Sequence, residues 1–325
     1  MNQRILYFDC LRGMAIMMVV GIHTYTISDG ILPLAIRQVF NCAVPLFLAI
    51  SGFFLSHKDV SNKEKYIEFI RKQVPKVYIP CLIWSLPLLF LDVVNGTFDF
   101  SSILLLFICG YSIYYFVALI IQYYLLLPFL QKIDTSKLLG LACCISVIFI
   151  VLVTYLLHFR HLQIPLIVFA GPFPLWIAFF CEGIFIGKNG RDYKLWPIVI
   201  LAIISLIFAV VEARYLYSLD GGGIGVKLSS FFFSFFAVLL FFSSKTEKMF
   251  MKLGRVYKLF TWIGGLSFGI YLCHCYFVTG LGSISLPTFL NIWIVKWGVI
   301  LFSSALIVAM GKKFFPWSVK YLGLR

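Results

Sequence analysis

Charge is what this sequence has least of. Only 12% of its 325 residues are Asp, Glu, Lys or Arg, about half the share found in soluble globular domains. With 62% hydrophobic residues and a mean hydropathy of +0.99, the chain cannot cover a core with a water-facing surface and needs lipid as its solvent. The nine cysteines include no CxxC pair, so the usual zinc and redox spacings are missing. Cys10, Cys42, Cys81, Cys143, Cys144, Cys181, Cys273 and Cys275 fall in apolar runs, where a thiol acts as a small packing group, and no metal site is expected. Gly221-Gly222-Gly223 follows no strand, so it reads as a loop breaker and not a phosphate cradle. The first apolar segment is long, holds Asp9 and Arg12 and lacks a small-residue cleavage site; it is expected to stay, unlike a signal peptide. Neither an internal repeat nor a low-complexity linker is visible.

Long apolar runs are what the chain does have. A helix needs about 20 apolar residues to cross a hydrocarbon core of roughly 30 Å. Ten runs qualify, near 5–27, 36–55, 77–94, 111–130, 138–157, 168–187, 195–212, 226–243, 259–280 and 289–310. The run 101–110 is too short to span and reads as a half-helix or an extension of the fourth span. The spans leave no room for a separate soluble domain. The expected fold is an all-α integral membrane protein: one domain over 1–325 with about ten transmembrane helices around a central cavity.

The formal net charge of +14 would suit nucleic acid, but the positive-inside rule accounts for it better. With the amino terminus in the cytoplasm, the cytoplasmic segments hold Arg4, Lys58, Lys63, Lys65, Arg71, Lys72, Lys76, Lys132, Lys137, Lys188, Arg191, Lys194, Lys245, Lys248, Lys252, Arg255, Lys258, Lys312, Lys313, Lys320 and Arg325. The outer loops hold only Arg37, Arg160, Arg214 and Lys227. That asymmetry predicts an even number of spans, both termini in the cytoplasm and the loop 280–288 outside.

Ionisable groups in lipid are expensive, roughly 2.5–3.5 kcal/mol each near a helix centre, and mark cavities or function. The first span carries Asp9, Arg12 and His23. Arg12 and His23 are eleven residues apart, which returns to within about 20° of the same helix face and separates them by about 16 Å. They are expected to face one lumen at two depths. Asp9 stands three residues before Arg12 and can pair with it; on the bland reading Arg12 simply snorkels to the interface, neutralised by Asp9. His274 falls about 22 Å along the ninth span, near the depth of His23, and reads as a cavity residue or a packed hydrogen-bond partner. Asn41 and Tyr115 fall in the outer half, where they can orient a base, contact sugar or pack helices. Ser51 and Glu182 fall in the cytoplasmic half, and Glu182 can neutralise Lys188 or a basic residue of the donor site.

The stretch from Arg4 through Asp9-Cys10-Leu11-Arg12-Gly13 to His23 resembles the opening of the acyltransferase family 3 membrane proteins, which begin Asp-x-Leu-Arg-Gly and have an Arg followed, after ten residues, by a His on the first span. Val44-Pro45-Leu46-Phe47 through Ser51-Gly52-Phe53 is similar to that family's second span. Tyr115-Phe116-Val117-Ala118-Leu119 through Leu127-Pro128 resembles its fourth, and Leu266-Ser267-Phe268-Gly269-Ile270-Tyr271-Leu272-Cys273-His274 its Ser-Tyr-x-Ile-Tyr-Leu-x-His signature. The resemblance implies transfer of acyl groups, commonly acetyl from acetyl-coenzyme A, to hydroxyls of lipopolysaccharide O-antigen, capsule, exopolysaccharide or a lipid-linked sugar. It also implies a multi-pass protein of the bacterial inner membrane, with acyl-coenzyme A as a donor substrate and no permanently bound cofactor. The family's essential Arg and His map onto Arg12 and His23. Its Arg-x-x-Arg pair before the third span is replaced by Gln73 and Lys76, with Arg71 and Lys72 beside them.

Acyl transfer to a hydroxyl calls for a base, and histidine titrates nearest physiological pH. His23 is the candidate, as direct base or in a covalent route. The basic loop 58–76, chiefly Arg71, Lys72 and Lys76, together with Arg12, is placed to hold the coenzyme A phosphates; its bland reading is topological charge alone. The competing functional reading is a polytopic transporter or flippase of an envelope precursor, using Arg12, His23 and Glu182 as a substrate or proton path. A sensory or structural protein with a degenerate fold is disfavoured by Arg12, His23 and His274.

Overall fold

A computed structural model of the chain describes residues 6–25, 30–111, 113–282 and 292–324. Among them the regular elements are helices and no strand occurs. In chain order these are α1 Leu6–Thr24, α2 Ile31–Phe40, α3 Ala43–Leu55, α4 Lys63–Val94, α5 Phe100–Phe107, α6 Tyr115–Leu130, α7 Thr135–Thr154, α8 Leu166–Ala170, α9 Ile177–Asn189, α10 Leu195–Asp220, α11 Leu228–Phe242, α12 Ser244–Met251, α13 Arg255–Gly264, α14 Ser267–Gly282 and α15 Trp293–Phe314. Among the described residues six stretches are long and apolar enough to cross a membrane, or up to eight if each bent pair counts as one span. The loop expected outside at 280–288 lies mostly beyond the described residues.

Besides 36–55, where a two-residue turn separates α2 from α3, two of the expected spans are broken. The run 168–187 is cut into α8, a tight turn at Phe173–Leu175 and α9. Pro172 and Pro174 sit at the cut, and proline supplies no backbone donor to continue a helix. The run 259–280 breaks between Gly264 and Ser267, so a depth for His274 counted along one axis from residue 259 does not apply. A third correction concerns the basic segment before the third span. It is helical from Lys63 onward and not a loop, because the Asn62 side chain accepts from Lys65 N at 2.8 Å and caps α4, which then runs through Pro75, Pro80 and Pro87. Just ahead of that cap, Lys65 Nζ and the Ser61 hydroxyl and amide hold the Asp59 carboxyl well below the usual carboxylate range.

The chain divides into two compact units. One contains α1 to α3, α7 and α9 to α13; the other contains α4 to α6, α8, α14 and α15. In the first unit α1 packs on α13, α3 and α2, and α3 packs on α9. Glycine makes these contacts close. A Cβ on Gly13 would stand 2.0 Å from Phe260 O, and one on Gly264 1.7 Å from Asp9 O. A Cβ on Gly52 would meet Phe180 O at 2.0 Å, and one on Gly183 would meet Ala49 O at 2.0 Å. Lipid gives apolar helices little reason to associate, so small residues that let backbones touch provide the packing.

The first unit has two distinct ends. At one, the Phe8 ring lies 4.6 Å from Phe53 and 5.3 Å from Phe242, and Gln131 Nε2 donates to Leu55 O and Lys58 O. That end gathers the segments bearing Lys58, Lys132, Lys137, Lys188, Arg191, Lys245 and Lys248. At the other end α2 meets the loop between α10 and α11. In the second unit, Tyr271 Oη donates to Ile113 O at 2.6 Å and Tyr114 Oη to Leu272 O at 2.5 Å, tying α14 to the start of α6.

The glycine contacts generate a stability prediction. Gly183→Val forces a side chain into a backbone oxygen and should cost about 3 kcal/mol or more. Gly140→Ala, on an open face of α7 with nothing near its Cβ position, should be neutral or stabilising by up to about 1 kcal/mol. Melting curves of the two purified variants in detergent check this; equal effects would mean that the α3–α9 approach is looser than described.

Candidate active site

α1 is largely enclosed: 13 of its 19 residues are buried. Arg12 and His23 are among those left partly open, on one uninterrupted helix. Asp9, itself buried, accepts from Arg12 Nη1 at 2.8 Å. The Phe54 ring lies 5.2 Å below the guanidinium carbon, a distance at which a cation and a ring face attract. The guanidinium is therefore fixed by a carboxylate and an aromatic face. Gly13, next in sequence, is the residue that lets α1 touch α13. The Asp9–Arg12–Gly13 triplet thus combines a helix contact with a positioned charge. His23 falls in the last turn of α1, at the opposite end of the helix from Arg12.

The remaining site candidates separate between the units. In the first, Ser51 Oγ returns to Phe47 O at 2.9 Å, so its hydroxyl is engaged within its own helix. Asn41 closes α2 and donates to Gln38 Oε1, Ile224 O and Ser230 Oγ at 2.9, 3.0 and 3.2 Å. Glu182 is fully buried on α9, and neither carboxyl oxygen has a hydrogen-bond partner among the described residues. The expected neutralisation of Lys188 is not made: six positions separate the two on α9, outside the three- or four-residue spacing that brings helix side chains together. In the second unit, Arg71 and Lys72 are exposed on α4, and Lys76 donates to Gln73 Oε1 at 3.2 Å. The departing residue of the basic motif thus serves as the partner of the retained one. Tyr115 opens α6, half-buried. His274 is fully buried on α14, with Nδ1 3.0 Å from Ile270 O and 2.8 Å from Tyr271 O. Two carbonyl acceptors require the proton on Nδ1, which leaves Nε2 as the basic nitrogen.

Residues 5–311 match the acyltransferase family 3, whose domain is described as an acyltransferase domain. The chain belongs to this family. A serine/alanine racemase of Enterococcus gallinarum is 28% identical over 311 residues, covering 85% of this chain and 41% of the racemase. The chain therefore spans about two fifths of that relative's length. No solved structure matches it.

Two groupings in the chain were not foreseen from its sequence. His158 Nδ1 lies 2.7 Å from Asp220 Oδ2, joining a π-helical turn at Tyr155–Phe159 to the end of α10. Arg37, Gln38, Asn41, Lys227 and Ser230 form a second buried set around Ile224 O. The available signal was that Arg37 and Lys227 belong to the sparse outer charges; Lys227 and its partner Gln38 lie 189 positions apart in sequence and are joined only by folding.

Glu182 supplies a test of the site's electrostatics. A carboxyl without a partner in an apolar interior costs stability and returns none. Glu182→Met should hold or raise the melting temperature of the purified protein; a fall of several degrees would show that the carboxyl is bonded.

Proposed function

We propose that the chain moves an acyl group, acetyl being the first candidate, from acyl-coenzyme A to a hydroxyl of a cell-envelope carbohydrate, with His23 as the base. The observation that carries this reading is α1 itself: one unbroken helix presents Arg12, fixed by Asp9 and Phe54, near one end and His23 near the other. The pantetheine arm of coenzyme A is long enough to link two such levels. Phosphates anchored by Arg12 would leave the thioester deeper, toward His23; Arg71, Lys72 and Lys76 on α4 are the further candidates for contact with the donor. In the transfer, His23 takes the proton of the acceptor hydroxyl while its oxygen attacks the thioester carbonyl; coenzyme A leaves as the thiolate. The acceptor is the hydroxyl of an O-antigen, capsule, exopolysaccharide or lipid-linked sugar. The proposed setting is a bacterial inner membrane crossed ten times, both termini cytoplasmic. Support for that orientation is the set of basic segments at one end of the first unit. The racemase relative extends well beyond the matched length, and its amino-acid chemistry is not carried to this chain.

A transporter or flippase of an envelope precursor is the second reading. The interrupted helices at 166–189 and 255–282 favour it, because transporters bind substrate at such breaks.

Purified protein decides between them. His23→Ala should lose about 10²–10⁴-fold in transfer rate while keeping its affinity for coenzyme A. Replacing Arg71, Lys72 and Lys76 together should weaken that affinity, more so at low salt. Normal transfer by the His23 variant would remove it as the base, and no transfer by the wild type under any donor would leave the transporter reading.

Orientation has its own test. Single cysteines at the two termini, in a background lacking the native ones, should react with a membrane-impermeant maleimide only after the cells are opened. Labelling in intact cells would overturn the topology.

A further inference from the structure

At the end of the first unit away from Arg12, two cations are buried together with neutral partners. Arg37, 7% exposed on α2, donates from Nη1 to Asn41 Oδ1. Its Nε is buried and has no partner among the described residues. Lys227, 1% exposed just ahead of α11, donates to Gln38 Oε1, to Ser230 Oγ at 2.7 Å and to Ile224 O at 3.4 Å. Asn41 Nδ2 also donates to Gln38 Oε1. One carboxamide oxygen therefore accepts from Lys227 directly and is joined through Asn41 to Arg37. Glu212 on α10 accepts from the amide and hydroxyl of Ser229, at the first turn of α11. Among the described residues neither cation is hydrogen-bonded to a carboxylate.

This arrangement is electrostatically incomplete. Buried charges are ordinarily paired, and amide or hydroxyl oxygens compensate a desolvated cation far less than an anion does. The start of α11 adds its own positive end, and an Arg donor stands unused. The cluster lies on the side that the proposed orientation makes extracytoplasmic, where the acceptor would be.

We propose that Arg37 and Lys227 form an oxyanion site that receives a carboxylate or phosphate carried by the acceptor saccharide, so that the enzyme acts on an acidic glycan or glycan phosphate in preference to a neutral one. The site itself is argued from the cluster; its assignment to the acceptor rests on the acyltransferase reading.

The test uses the full-length protein in phosphatidylcholine nanodiscs, melted at constant ionic strength with D-glucuronate, inorganic phosphate or glucose. Glucuronate and phosphate should raise the melting temperature saturably and glucose should not. Arg37→Gln and Lys227→Met should weaken that response more than about tenfold, the consequence of losing about 1.4 kcal/mol or more from a buried charge contact. Gln38→Glu guards against misfolded variants: it places a carboxylate between the cations, so it should melt higher than wild type and lose the anion response. His23→Ala should keep the response, which separates this site from the chemistry. No saturable shift in the wild type, or an unchanged shift in Gln38→Glu, would overturn the proposal. A shift obtained only when phosphatidylglycerol is added to the bilayer would overturn the acceptor assignment, since the occupant would then be a lipid headgroup. Failure of wild-type acyl transfer with an intact anion response would sink the enzymatic reading and leave the site standing.

Discussion

The contact between α1 and α13 is what the first unit is built on. Gly13 and Gly264 let the two backbones touch, with Asp9 O against Gly264 and Phe260 O against Gly13. That approach encloses α1, and enclosure is what makes its charged residues consequential. An Arg on a lipid-facing helix can snorkel to water. Arg12 is instead held against Asp9 and Phe54. The Gly that follows it is a packing device, so one short motif both places the helix and aims the charge.

Polar groups are distributed along this frame in three ways. Arg12 is paired with a carboxylate, as is Arg191, whose Nη1 lies 2.7 Å from Glu247 in the first turn of α12. Arg37 and Lys227 are held by amides and hydroxyls. Glu182 has no hydrogen-bond partner among the described residues. Pairing of the first kind adds rigidity, whereas charges of the second kind gain from an incoming counter-ion. The two ends of the unit thus differ in how they hold charge: a guanidinium against a carboxylate and an aromatic ring at one, two cations held by amides and hydroxyls at the other.

Much of this was legible in the sequence because lipid imposes simple rules. Apolar runs located the long helices, and the Asp9–Arg12 spacing located the ion pair. Motif order located the family. Breaks were harder: Pro172, Pro174 and Gly264-Gly265 lie within runs whose hydropathy is continuous, and hydropathy does not register a missing backbone donor. The segment before the third span was read as a loop because its charges resemble one, yet the Asn62 cap and good helix formers extend α4 back to Lys63. The cluster around Gln38 and Lys227 was beyond reach, since its partners come from α2 and α11. Glu182 was expected to find a cation; close glycine packing of α9 on α3 buries it first.

The central claim is that acyl groups enter from one face of the membrane and leave on a carbohydrate at the other. Reconstituted vesicles of known orientation, given radiolabelled acetyl-coenzyme A on the cytoplasmic face alone and envelope glycan on the opposite face alone, test it directly. The account predicts alkali-labile label on the glycan, dependent on His23. Label appearing only when donor and glycan share a face, or glycan crossing the membrane without becoming acylated, would contradict it.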